Sequence, residues 1–130
     1  MTYYHSKKMH NVSFDEAVEK VTEALKQEGF GVLTEIDVKA TLKKKLDVEF
    51  RPYKILGVCN PPYAHKALEV EDKIGIMLPC NVIVQETADG TIEVAAVDPV
   101  ASMSAIENPK LMDIAAEIQQ KLKTVIENLY

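Results

Sequence analysis

The sequence predicts an α+β domain of two layers, a mostly antiparallel sheet with two long helices on one face. Three observations carry that expectation. An amphipathic helical stripe lies near each end of the chain, strand-like runs fill the middle, and two of those runs meet across Asp89-Gly90. Each stripe needs an apolar surface to cover, and a sheet built from the intervening strands supplies it.

Residues 2–10 read as a short opening strand. Ser13-Phe14-Asp15-Glu16 then has capping-box spacing, in which Ser13 accepts from the Glu16 amide and Glu16 reaches back. Phe14, Ala17, Val18, Val21 and Leu25 follow at helical spacing, with Asp15, Glu19, Lys20, Glu23 and Lys26 opposite. Gly29 suits the position just past the helix end, because glycine takes the left-handed conformation without steric cost. Val32 to Val38 is a strand of mixed alternation, residues 39–47 a short basic helix, and Tyr53 to Cys59 a buried strand. Asn60-Pro61-Pro62 stops that strand, since proline cannot donate to a ladder.

Tyr63 to Val70 is long enough for one or two helical turns, and Gly75 to Thr87 reads as a longer strand. Asp89-Gly90 is a hairpin signal, and Ile92, Val94 and Ala96 alternate with Glu93, Ala95 and Val97 on the return. Asp98-Pro99 ends that strand, and residues 100–107 form an irregular or partly helical link. Asn108-Pro109 opens a final helix, with Asn as cap and Pro in the first turn. Leu111, Ile114, Ala115, Ile118, Leu122, Val125 and Leu129 make one apolar stripe along it. Met112, Ala116 and Ile126 widen that stripe beyond what packing on one sheet requires, which makes this helix the expected dimer contact.

A chain of 130 residues, 47% of them hydrophobic, matches a single domain spanning 1–130 with a real core. A net charge of −5 disfavours nucleic acid as a partner, because phosphate neutralisation needs an excess of Lys and Arg. The charge is uneven. Residues 39–54 carry Lys39, Lys43, Lys44, Lys45, Arg51 and Lys54 against Asp47 and Glu49, a pattern that reads as a solvated helix face or an anion site. No apolar stretch approaches the ~18–20 residues needed to span a bilayer. Met1 to Lys8 lacks the basic-then-apolar order of a signal peptide, so the expected location is the cytoplasm, where cysteines stay as free thiols.

The chain has two cysteines, and both sit in similar phrases, Cys59-Asn60-Pro61-Pro62 and Leu78-Pro79-Cys80-Asn81-Val82. Together with Ser13-Phe14-Asp15-Glu16-Ala17, Gly29-Phe30-Gly31-Val32-Leu33, Glu35-Ile36-Asp37-Val38, Tyr53 to Pro61 and Asp98-Pro99, they resemble the family called domain of unknown function 302. The resemblance covers nearly the whole chain. It implies a β-α-β(4)-α fold similar to that of the TATA-box-binding protein, commonly as a homodimer. It implies no activity, and a shared fold says nothing about DNA.

The chemistry is weighed at the cysteines. Along its strand Cys80 shares parity with Ile76, Leu78, Val82 and Val84, the more apolar set, while Asn81 goes with Met77, Ile83 and Gln85. Cys59 shares parity with Tyr53 and Ile55, and Gly57 between them leaves room for a close approach. One reading has two buried, inert thiols. The other has both meeting at one spot, as a reversible disulfide or as ligands for a soft metal. With His65 the pair would suit zinc, and with Met103 copper(I), although neither set has diagnostic spacing. Cys59 also precedes the helix predicted at 63–70, whose N-terminus would favour a thiolate. Asp37 and Asp98 end predicted strands, where capping and turn formation compete with a role in binding or catalysis.

The leading expectation is a homodimeric binding or sensing module, with a small ligand or soft metal held near Cys59, Asn60, Cys80 and Asn81. Asp37 and Asp98 are further candidate ligand contacts. The alternatives are a thiol-dependent redox enzyme using Cys59 and Cys80, and a structural dimerisation domain in which both cysteines are inert.

Overall fold

Each long helix begins where a side chain satisfies one of its free amides. In the computed structural model, which describes residues 2–130, strand β1 (Tyr4–Met9) passes to helix α1 (Phe14–Gln27) through Ser13. The Ser13 hydroxyl accepts from the Glu16 amide at 3.1 Å. Gly29, at φ +86°, turns the chain out of the helix as its sequence position predicts. Strand β2 (Gly31–Asp37) follows and ends at Asp37, which caps the basic helix α2 (Val38–Leu46) by accepting from the Ala40 amide at 2.9 Å. No residue of α2 is buried, so its lysines are a solvated face.

Strand β3 (Tyr53–Cys59) runs to Asn60, and helix α3 (Pro61–Val70) begins at the first proline rather than at Tyr63. Proline at the first helical positions fits, because its missing amide would be unpaired there in any case. The predicted long strand from Gly75 is shorter than expected. Ile74–Met77 forms a 3-10 turn that buries Ile74 and leaves Ile76 82% exposed, and strand β4 (Cys80–Glu86) starts only after Pro79. The parity of Ile76 and Leu78 with Cys80 therefore carries no meaning, since those residues are not on the strand. The Leu78–Pro79 peptide is cis. Gly90, at φ +85°, closes the hairpin to strand β5 (Ile92–Val97). Asp98 then caps the short helix α4 (Pro99–Ser102), and Asn108 caps α5 (Pro109–Glu127), accepting from the Leu111 amide at 3.2 Å.

The strands form one antiparallel sheet in the order β1-β5-β4-β3-β2. With the short helices set aside, the chain order is β-α-β(4)-α, compatible with the TATA-box-binding-protein-like arrangement. Helix α1 links the two edge strands and lies with α5 on one face. Leu56, Val58, Val82, Val84, Ile92, Val94 and Ala96 project from the sheet into that layer. They meet Ala17, Val21 and Leu25 of α1, and Ile118, Leu122, Val125 and Ile126 of α5. Of the residues that widen the α5 stripe, Ile126 is only 3% exposed and packs inside the chain, whereas Met112 is half-buried and Ala116 is exposed. A second, smaller apolar cluster lies beside this core, where α3, the 3-10 turn and α4 pack on the N-terminal half of α5.

Candidate functional site

Between the two clusters the packing leaves a cavity of about 310 Å³. It lies where β3 ends and β4 begins, roofed by α3 and the N-terminal half of α5. The side chains around it are small where the neighbouring core has Leu and Ile: Ala64 and Ala67 on α3, Ala115 on α5, and both cysteines. Leu33 and Leu68, which are 67% and 45% exposed, stand at its rim and make the approach from solvent apolar.

The strand register settles where the thiols are. Val58 on β3 lies opposite Cys80 on β4, so Cys59 is one residue beyond the direct pair. Both are free thiols, and both line the cavity. Cys59 is therefore not the direct cross-strand partner of Cys80, although the two line the same cavity. Cys80 is buried. Burial pushes its thiol up to about 11, and the nearby Cys59 adds to that rise. A thiolate is the reactive form, so Cys80 is an unreactive thiol at neutral pH.

Asn60 is the buried polar side chain of this region, 8% exposed. Its Nδ2 donates to the Glu28 carbonyl at 3.1 Å and so ties the start of α3 to the end of α1. A side chain at Gly29 would press on that amide, approaching Asn60 Nδ2 to 3.2 Å. Although Asn60 is the cap residue of α3, its side chain makes no capping bond, which leaves Oδ1 available as an acceptor in an otherwise apolar wall.

The remaining candidates are placed as follows. Met103 lines the cavity with the two cysteines. His65 does not join them: its exposed ring lies 3.4 Å from Glu69, one helical turn along α3. Among the described residues, no three of His, Cys, Asp and Glu gather in a group able to hold a metal ion. Asn81 is exposed and projects to the sheet face opposite Cys80, so the two Cys-Asn phrases do not offer matched amides. Asp37 and Asp98 lie outside the cavity wall. Asp98 accepts from the amides of Val100 and Ala101 at 2.9 and 3.3 Å and from Gln119 Nε2 at 2.9 and 3.0 Å, which accounts for both carboxylate oxygens. The space expected above Gly57 is filled by the protein itself. A Cβ there would meet the Thr34 hydroxyl and come within 2.8 Å of Pro79 Cγ.

Sequence reasoning missed the apolar wall. Phe30, Leu33, Leu68 and Ile118 each look like ordinary core residues on their own elements. The available signal was size: Ala64, Ala67 and Ala115 are small residues at helical positions where larger ones would close the gap.

The fold and site define an α+β domain with its long helices on one sheet face and an apolar cavity at one end of the strands. The chain belongs to the family described as Domain of unknown function DUF302, whose model matches residues 5–129. It is also similar to a solved structure, an uncharacterized conserved DUF302 protein from Bacillus stearothermophilus, with 30% identity, a TM-score of 0.92 and full coverage of both chains. No curated protein matches the chain. Among the described residues, no helix is long and apolar enough to cross a membrane.

Proposed function

We propose that this chain is a cytoplasmic, homodimeric binding module for a small, largely apolar molecule, held in the cavity lined by Cys59, Asn60, Cys80 and Met103. One observation carries the reading: an apolar cavity of about 310 Å³, with exposed Leu33 and Leu68 at its rim and a single buried amide in its wall. That volume is at the low end of small-molecule sites, about 300–1,000 Å³, which have the same composition of apolar lining and few polar groups. Asn60 Oδ1 would accept from one donor on the ligand, and its Nδ2 bond to Glu28 keeps it from turning away. Cys80 contributes volume and polarisability rather than reactivity, since its thiol is held protonated by burial.

A second reading rests on the sulfur atoms. Cys59, Cys80 and Met103 line one cavity, and two cysteines with a thioether are the donor set that copper(I) prefers. The thiol-enzyme reading is weaker where it needs Cys80 to exchange with Cys59, because burial has raised the Cys80 thiol to about 11 and makes it a poor partner in exchange.

Native mass spectrometry of freshly purified, tag-free protein separates these readings. An apolar ligand adds organic mass that is lost when Ala64→Trp fills the cavity. Copper adds a metal mass that is lost in Cys59→Ser and Met103→Leu but retained when the apolar rim is changed. In parallel, anilinonaphthalene sulfonate should fluoresce on the wild type and not on Ala64→Trp. Equal dye binding by both proteins removes the cavity from consideration.

A further inference from the structure

The cavity wall restricts its occupant more narrowly than apolar character alone. None of the residues lining it carries a charge, and Asn60 supplies its only side-chain amide. An ionised group inside would lose its water and gain no partner, so a charged end stays in water beyond Leu33 and Leu68 at the rim. What enters is neutral.

Asn60 decides the direction of the hydrogen bond. A carbonyl oxygen only accepts, so the Asn60 atom 3.1 Å from the Glu28 carbonyl is the nitrogen. Gly29 backs the same nitrogen, since a Cβ there would approach Nδ2 to 3.2 Å and Oδ1 only to 3.8 Å. The amide is therefore fixed one way round, with Oδ1 directed away from Glu28. That oxygen makes no capping bond to α3, where Pro62 removes an amide that a cap side chain commonly takes. Asn60 is nevertheless 8% exposed. A side chain so deeply buried with an idle acceptor is stabilised by whatever supplies the missing donor.

Size and sulfur narrow the class further. An apolar cavity of about 150 Å³ in a protein core takes up benzene. The cavity here, about 310 Å³, has room for two fused rings. Cys59, Cys80 and Met103 bring polarisable sulfur to its wall, and sulfur favours contact with an aromatic ring. We propose that the occupant is a neutral aromatic molecule of two fused rings with one O–H or N–H, of the naphthol or indole kind, whose donor is met by Asn60 Oδ1.

This assignment rests on the cavity reading above, and probes of matched shape separate the two. β-Naphthol donates a hydrogen bond, its methyl ether keeps the oxygen without the hydrogen, and naphthalene has neither. The chain has no Trp, so binding to the full chain is read from the fluorescence of the probe, with isothermal calorimetry as a second measure. The expected result is that naphthol binds about tenfold more tightly than its methyl ether or naphthalene. All three should be lost in Ala64→Trp, and the advantage of naphthol should disappear in Asn60→Leu. Should Asn60→Leu fail to fold, the wild-type series decides alone. Equal affinity for the three probes, lost in Ala64→Trp, overturns the donor assignment and leaves the cavity as an apolar site. A preference for naphthol that survives Asn60→Leu overturns the role of Asn60. No binding of any probe, or binding that survives Ala64→Trp, overturns both this assignment and the cavity reading.

Discussion

The two apolar clusters of this domain share helix α5 yet differ in how they are filled. Its C-terminal half sends Leu122, Val125 and Ile126 into the main core, where they meet Val, Leu and Ile from the central strands. Its N-terminal half sends Leu111 and Ala115 into the second cluster, against Ala67, Ile74 and Met103. Both are hydrophobic. What differs is side-chain volume, and the cavity opens along the seam where small residues from α3, α5 and the two strand ends coincide. Hydrophobicity decides which residues go inside, but size decides whether the inside is full.

Truncation in each cluster tests that contrast most strongly. Leu56→Ala, in the filled core at 0% exposure, should cost about 4–5 kcal/mol, because close-packed neighbours cannot collapse into the space. Met103→Ala enlarges a cavity that already exists, so its cost should fall near the lower end of the range, about 2 kcal/mol. Equal losses in urea unfolding would mean that the cavity wall is as tightly packed as the core, and the comparison would fail.

The next effect belongs to Cys80. Its thiol is raised from an ordinary 9.0 to about 11, chiefly by burial and further by Cys59. The folded chain therefore holds the proton more tightly than the unfolded chain does. That stabilisation is complete below pH 9 and is lost as pH climbs from about 9 to 11, by about 2–3 kcal/mol from this group alone. Lysines and tyrosines titrate in the same range, so the quantity to measure is the difference from Cys80→Ala, whose alkaline decline should be shallower by that amount. Parallel slopes would place Cys80 in water rather than in the cavity wall.

A smaller effect separates the clusters by the opposite substitution. Ala17→Leu forces extra volume into the core at a position of 0% exposure and should cost about 1–3 kcal/mol. Ala67→Leu extends into the cavity, so it should be nearly neutral while abolishing dye fluorescence. A comparable loss of stability at both positions would show that the cavity does not admit a side chain.

Most of the fold was legible in the chain because local chemistry and tertiary packing agree there. Ser13, Asn108 and Gly29 mark helix ends by what their side chains or backbone can do, and each does so in the structure. The strand predicted from Gly75 failed because the apolar run at Ile74 to Leu78 cannot show by itself that it packs as a turn beneath α3. The candidate site was half legible. Cysteine drew attention to the strand ends that the cavity adjoins, and the burial of Cys80 followed from parity with Val82 and Val84. The register that sets Cys59 one residue past the Val58–Cys80 pair depends on how α3 and the 3-10 turn return the chain, which no local pattern encodes. The paired asparagines were misleading for the same reason that parity worked for Cys80: Asn81, one residue on, belongs to the other face.

The far end of the same strands provides the smallest and most local test. At the β4–β5 turn, Asp89 Oδ1 accepts from the hydroxyls of Thr87 and Thr91 and from the Thr91 amide at 3.0 Å. These bonds, the Thr87 hydroxyl foremost, hold its carboxyl well below the ordinary value of 3.8. A depressed carboxyl stabilises the folded turn at any pH above that ordinary value and loses the contribution as pH falls through and below it. Protection from hydrogen exchange at residues 87–91, with the intrinsic pH dependence of amide exchange divided out, should therefore fall in acid, and Asp89→Ala should produce the same loss of protection at neutral pH. Dye binding at the cavity, at the opposite end of β4, should be unchanged by that variant, because nothing in the turn touches the cavity wall. If loosening the hairpin empties the cavity, the two ends of the sheet are coupled and the cavity depends on the whole of β4 rather than on its own small residues.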